Sequence, residues 1–157
     1  MADRKKIIAV IGQGSGCTPE IDSLAEEVGF EIASGGAVLI CGGLYGVMES
    51  ACRGAKKAGG LTIGILPSMD TSDANPYVDL PIATGMSEAR NVIIVRTADA
   101  VIAVGGFYGT LSEIAYALAF DKPIVGLRTW EIDANIRRAE SAEDAVKQAF
   151  ALIASSG

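Results

Sequence analysis

Two sets of glycines in this chain are placed where they could hold an anion. Gly42-Gly43-x-x-Gly46 follows the apolar run Val38 to Cys41, and Gly105-Gly106-x-x-Gly109 follows Val101 to Val104. In both stretches apolar residues then recur at helical spacing, so each reads as strand, tight glycine turn and helix. A Gly-Gly pair leaves no side chain between the backbone and whatever sits above the strand. The first N–H groups of the helix point into the same space, which is the arrangement that phosphates occupy. Any one of these glycines reads equally well as a turn or a helix cap. The shared spacing, strand context and helix opening of the two sets favour anion binding, and two such turns on one small sheet point to a nucleotide.

The polar residues near these turns carry two readings each. The second helix is expected to open on Thr110, with Glu113 one turn in. Thr110-Leu111-Ser112-Glu113 has the spacing of a capping box, in which the glutamate bonds back to the cap N–H. The other reading makes Glu113 a carboxylate acting on the bound ligand. Arg90 lies on a helix predicted from Ser87 to about Thr97, where it is a surface arginine, a phosphate clamp or a partner that orients Glu113. Asp99 starts a strand and is assigned nothing, and Cys17, Cys41 and Cys52 read as small buried hydrophobes.

The elements that must position these residues alternate along the chain. Ile7 to Ile11 predicts a first strand ending in Gly12-Gln13-Gly14-Ser15-Gly16. Thr18-Pro19-Glu20 then gives an N-cap, a proline at the first helical position and an acidic first turn, with the helix closing at Gly35-Gly36. The glycine loop echoes the G-x-G-x-x-G dinucleotide fingerprint, but its third glycine falls one place early. No acidic residue ends the strand at Leu39 to Cys41 to hold a ribose, which argues against NAD. Further strands are expected at Leu61 to Leu66, within Tyr77 to Ala83 and at Ile124 to Leu127, with helices over Gly46 to Lys57 and from Ser141 onward. Strands that are continuous apolar runs, alternating with helices, belong to a parallel sheet covered on both faces. The expectation is one α/β domain over residues 1–157 with its ligand beyond the carboxyl ends of the strands.

Composition narrows the chemistry. The chain has 157 residues, half of them hydrophobic, with 19 Asp and Glu against 13 Lys and Arg, for a net charge of −6. No basic stripe is present, which disfavours nucleic-acid backbone binding. No apolar run approaches a membrane span. Three cysteines without C-x-x-C spacing, and no signal peptide, predict a reduced, cytoplasmic setting. Histidine is absent. That removes Ser-His-Asp and Cys-His catalysis and the commonest zinc ligand together. The helix from Ser87 to Thr97 carries Val92, Ile93, Ile94 and Val95 in succession. Apolar surface nearly all round a helix predicts contact with a second subunit, and hence a homodimer or higher homo-oligomer, the alternative being a helix buried wholly within one domain.

The stretch G-G-F-Y-G-T-L-S-E, with Arg90 upstream and A-D-A-V-I-A before it, resembles the P-G-G-x-G-T-x-x-E motif of the LONELY GUY family, often labelled "lysine decarboxylase-like". G-G-L-Y-G-V-M-E-S is similar to that family's first glycine turn, and G-G-L-T-I-G-I-L-P to its third strand. The resemblance covers most of the chain. It implies a cytosolic Rossmann-like homo-oligomer that splits nucleoside 5′-monophosphates into free base and ribose 5-phosphate, with no metal or other cofactor required. Carried over residue by residue, it makes Glu113 and Arg90 the catalytic pair. Gly105, Gly106, Gly109 and Thr110 would hold the phosphate, while Gly42, Gly43, Gly46 and Met48 would line the ligand pocket. Val104 stands where the hydrolases have proline, and Asn91 follows Arg90 where they have lysine. In both respects the chain resembles a shorter branch that includes the molybdenum cofactor carrier proteins, which implies a bound phosphorylated pterin as the alternative ligand. No lysine has the setting of a pyridoxal site, so the decarboxylase label has no chemical support.

Overall fold

In a computed structural model the described residues, 3–156, form one seven-stranded parallel sheet with five α-helices. The strands are β1 (Ile7–Gly12), β2 (Val38–Cys41), β3 (Thr62–Leu66), β4 (Leu80–Ala83), β5 (Ala100–Val104), β6 (Ile124–Leu127) and β7 (Ile136–Arg138). The helices are α1 (Pro19–Ser34), α2 (Val47–Lys57), α3 (Asn91–Thr97), α4 (Tyr108–Ala119) and α5 (Ala142–Ser155). Strand order is β4-β3-β2-β1-β5-β6-β7. The chain winds outward from β1 to one edge, then returns to β5 beside β1 and winds to the other. This is the Rossmann-like doubly wound topology. Its reversal leaves a crevice between the carboxyl ends of β1 and β5, the place where ligands of such sheets bind.

Side-chain alternation along the central strands builds two cores. Ile8, Val10, Leu39, Cys41, Ile102, Val104, Val125 and Leu127 face one side, packed against α1, α2 and α5. Ala9, Ile11, Ile40, Ile65, Val101, Ala103 and Ile124 face the other, under α3 and α4. Every residue of β2, β5 and β6 is buried, which is why these strands read as unbroken apolar runs rather than as alternating ones. The face under α3 and α4 is the thinner layer, since α3 has only 7 residues. None of the described helices is long and apolar enough to cross a membrane.

Most elements lie where the residues predict them. Thr18 caps α1, accepting from the Ile21 N–H at 3.2 Å, with Pro19 following it and Gly35 at the C-cap. Three differences bear on the site. Ser87 to Arg90 is a 3-10 turn and α3 begins only at Asn91; Ser87 sits at φ 50°, outside the helical region, so no α-helix starts there. Its apolar run is accordingly shared out: Ile94 and Val95 are buried in the core, while Val92 and Ile93 are half-buried. Helix α4 opens at Tyr108, two residues before Thr110. Strand β7, three residues with two exposed arginines, extends the sheet where no strand is expected.

Candidate functional site

Because the sheet is parallel, the turns after β1, β2 and β5 reach the same edge, and both Gly-Gly pairs flank the crevice. A cavity of about 170 Å3 lies there, lined by residues that include Gly12, Gln13, Gly42, Met48, Glu88, Arg90, Asn91, Phe107, Gly109, Thr110 and Glu113. Six of the ten residues singled out from the sequence therefore share one cavity wall: Gly42, Met48, Arg90, Gly109, Thr110 and Glu113. Gly43, Gly46, Gly105 and Gly106 are not in that wall. They shape the turns behind it, each with φ between 58° and 118°, a range that favours glycine.

Glu113 is 8% exposed, one residue from the core residue Ile114 on the inner face of α4. Since α4 starts at Tyr108 and Phe107 occupies the cap, Glu113 falls in the second turn. The capping-box geometry is not formed, and no side chain caps α4. Burial pushes the Glu113 carboxyl up to about 8, against the opposing pull of the Arg90 charge. At neutral pH the group is mostly protonated.

Arg90 is also 8% exposed. Its Nε donates to the Ile65 carbonyl at 2.8 Å and its Nη2 to the Gly42 carbonyl at 3.4 Å, while Nη1 donates to Asn91 Oδ1. Desolvation draws its pKa below the ordinary arginine value, and Glu113 raises it again. Among the described residues Arg90 forms no ion pair with a carboxylate. The guanidinium ties β3, the first glycine turn and α3 together, and reaches Glu113 through its field rather than by contact. Asn91, 3% exposed, completes the brace: its Nδ2 donates to Ser112 Oγ at 3.3 Å, and Ser112 donates to the Gly109 carbonyl at 2.7 Å. A residue read only as a departure from a lysine thus links Arg90 to the helix that carries Glu113.

Sequence reasoning passed over Gln13. Its side chain crosses from the β1 loop to the β5 loop, where Oε1 accepts the Gly106 N–H at 3.0 Å and Nε2 donates to the Gly16 carbonyl at 3.1 Å. The Gln13 carbonyl also accepts the Val47 N–H at 3.0 Å. The available signal was position alone, since Gln13 is the first polar side chain beyond the carboxyl end of β1. Phe107, 59% exposed at the cavity mouth, was hidden between two glycines.

What this edge offers a ligand is a set of backbone donors at the start of α4, a neutral buried carboxyl and a braced arginine. The sequence pattern of the SLOG cluster4 family matches residues 5–153. The chain belongs to that family. Its LONELY GUY-like relatives include the cytokinin riboside 5′-monophosphate phosphoribohydrolase of Mycobacterium tuberculosis, 33% identical over 132 residues, 78% of this chain and 71% of that protein. A protein of Archaeoglobus fulgidus is 48% identical over 139 residues, 88% of this chain and 91% of its own length. Among solved structures, the molybdenum cofactor binding protein of Rippkaea orientalis superposes with a TM-score of 0.91 at 42% identity, covering 96% of this chain and 98% of that one. This member of the SLOG cluster4 family therefore shares its fold, nearly end to end, with a molybdenum cofactor binding protein, and most of its length with a phosphoribohydrolase.

Proposed function

We propose that the chain binds a phosphorylated, nucleotide-like ligand in the crevice between the glycine turns and carries it without cutting it. The end-to-end likeness to a molybdenum cofactor binding protein carries this reading, and the burial of Glu113 agrees with it. Splitting an N-glycosidic bond builds positive charge on the sugar, which an ionised carboxylate stabilises directly and a neutral acid assists only by protonating the leaving base. A carboxyl held at about 8 is not ionised at neutral pH. It can donate a hydrogen bond, which suits an oxygen at the phosphate end of the ligand. The phosphate would rest on the N–H groups opening α4, with Gly105, Gly106, Gly109 and Thr110 around it. The cavity of about 170 Å3 takes the phosphate end only, and the ring would lie at the mouth beside Phe107. The likeness to the Rippkaea protein supports a phosphorylated pterin, the molybdenum cofactor, as cargo.

A second reading, hydrolysis of nucleoside 5′-monophosphates with Glu113 as the acting carboxyl and Arg90 as its electrostatic partner, is supported by the mycobacterial relative. Two measurements on one preparation separate the readings: mass spectrometry of what co-purifies when no ligand is added, and release of free base from a panel of nucleoside monophosphates. The carrier reading expects a bound phosphorylated pterin and no base release. Multiple turnovers by wild type, lost in Glu113→Gln, would replace it with the hydrolase. The same reading includes a homodimer through the α3–α4 face, where Ile93, Tyr116 and Phe120 are only partly covered. Light scattering at micromolar concentration should return twice the chain mass, and a monomer mass would overturn it.

A further inference from the structure

We infer that Gln13 is a built-in competitor for the anion site: its carboxamide oxygen holds the Gly106 N–H in the free protein, and a phosphomonoester binds by displacing it. This rests on the reading that the phosphate sits at the second glycine turn. Both ends of the carboxamide are engaged, Oε1 by Gly106 and Nε2 by the Gly16 carbonyl, which fixes the oxygen toward the turn. The turn is shaped around that oxygen. Gly105 has φ 58°, and a Cβ there would stand 2.7 Å from Gln13 Oε1. A carbonyl oxygen presented to a backbone N–H in a glycine turn is what one phosphate oxygen would be.

The cavity itself asks for movement. At about 170 Å3 it is smaller than the roughly 300 Å3 at which small-molecule sites begin. Arg90 is held by three partners and Asn91 by two. Gly12 is wedged, since a Cβ there would lie 2.5 Å from both the Val104 carbonyl and Val47 Cγ1. Gln13 is held by two neutral hydrogen bonds, one of them to its own exposed loop. A phosphate oxygen makes a charge-assisted bond to the same N–H, about twice as strong as a neutral one. Exchange of carboxamide for phosphate is therefore favoured, and of the hydrogen-bonded wall residues Arg90, Asn91 and Gln13 it is Gln13 that yields most cheaply. Neutral ligands gain no such advantage, so the arrangement selects for the phosphate.

The test is calorimetric titration of AMP, inorganic phosphate and adenosine into wild type, Gln13→Ala and Gln13→Glu, with the Gly106 amide followed by NMR in wild type. Gln13→Ala should bind AMP and phosphate about twofold to tenfold more tightly, the weight of one neutral hydrogen bond. Gln13→Glu should bind them about tenfold more weakly at pH 8, recovering relative to wild type as its carboxylate protonates on acidification. Adenosine should not distinguish the variants. In wild type, AMP should shift the Gly106 amide as one acceptor replaces another. If AMP binds but Gln13→Ala binds it no better, Gln13 is a buttress and the competition is overturned while the site stands. If neither AMP nor phosphate binds any of the three, the site and the competition fall together.

Discussion

Gly42-Gly43-x-x-Gly46 and Gly105-Gly106-x-x-Gly109 share spacing, strand context and a following helix, yet their surroundings differ. The first turn is closed on itself. Gly43 N–H points at Cys41 Sγ, 3.3 Å away, and the Gly43 carbonyl accepts the Asn75 N–H at 2.9 Å. Gly42 has no room for a Cβ, which would stand 2.5 Å from Arg90 Nη2 and 2.8 Å from Met48 Sδ. Gly46 lies outside α2 as its N-cap. The second turn is open. Phe107, Tyr108 and Gly109 are exposed, Gly109 is already inside α4, and a Cβ on it would meet nothing within 4 Å. One pattern thus serves twice, first to anchor Arg90 and the β1 loop, then to leave backbone donors facing the crevice. Glycine spacing marks where backbones come close; what fills the space is decided by tertiary neighbours.

The largest way to sharpen this contrast is through Glu113, which only the open turn carries. Its carboxyl has an ordinary value of 4.5 and stands at about 8 in the fold. The folded state therefore holds the proton more tightly between those values. The group's contribution is fully present below pH 4.5 and is lost as pH rises through 8, a change of about 4–5 kcal/mol. Glu113→Gln should be close to wild type in stability near pH 4 and more stable by several kcal/mol near pH 9. Urea unfolding of both proteins across that range checks it. Parallel curves would mean that the carboxyl is not buried as an acid, and would strengthen the hydrolase reading.

Much of this architecture is legible in the residues, and the exceptions have physical causes. The buried strands announce themselves because both faces are covered, so β2, β5 and β6 contain no polar residue. Strand β7 does not, since an edge strand of Ile136, Arg137 and Arg138 buries little on either side. The start of α4 is misplaced because Gly109 reads as punctuation, whereas the helix simply includes it. Glu113 stands out by its spacing from the glycines and Arg90 by the family resemblance, but the state of neither is legible in the residues. Whether a carboxyl two turns into a helix is capped, paired or desolvated depends on β1 and α3, which come from elsewhere in the chain. Gln13 was missed for a related reason: its partner at Gly106 is 93 residues away.

A second, smaller test acts on the closed turn. Gly46 has φ 64° and ψ −129°, a conformation that residues with a Cβ avoid, and a Cβ there would overlap the Gln13 carbonyl. Gly46→Ala should cost about 3 kcal/mol through backbone strain and displacement of the β1 loop. The midpoint of thermal unfolding reports it. A variant as stable as wild type would show that the first turn is not the rigid anchor described, and would weaken the case for a fixed Arg90.

The smallest effect on stability is expected in the open turn, and it isolates ligand binding. Gly106 is a poor probe because its φ is 118° and a Cβ would lie 2.5 Å from the Thr110 side chain, so bulk there would alter fold and cradle together. Gly109 separates the two. It sits in the first turn of α4, lines the cavity and has open space where a side chain would go. Glycine and β-branched residues differ little in helix propensity on this scale, so Gly109→Val should stay within about 0.5 kcal/mol of wild type. The added methyls would occupy the approach to the α4 N–H groups. AMP affinity should therefore fall about tenfold or more, some 1.4 kcal/mol at least. Calorimetric titration beside a thermal melt reads both quantities from one sample. Unchanged AMP affinity in a stable Gly109→Val protein would place the phosphate elsewhere on the edge, and the two turns would then differ in exposure without differing in function.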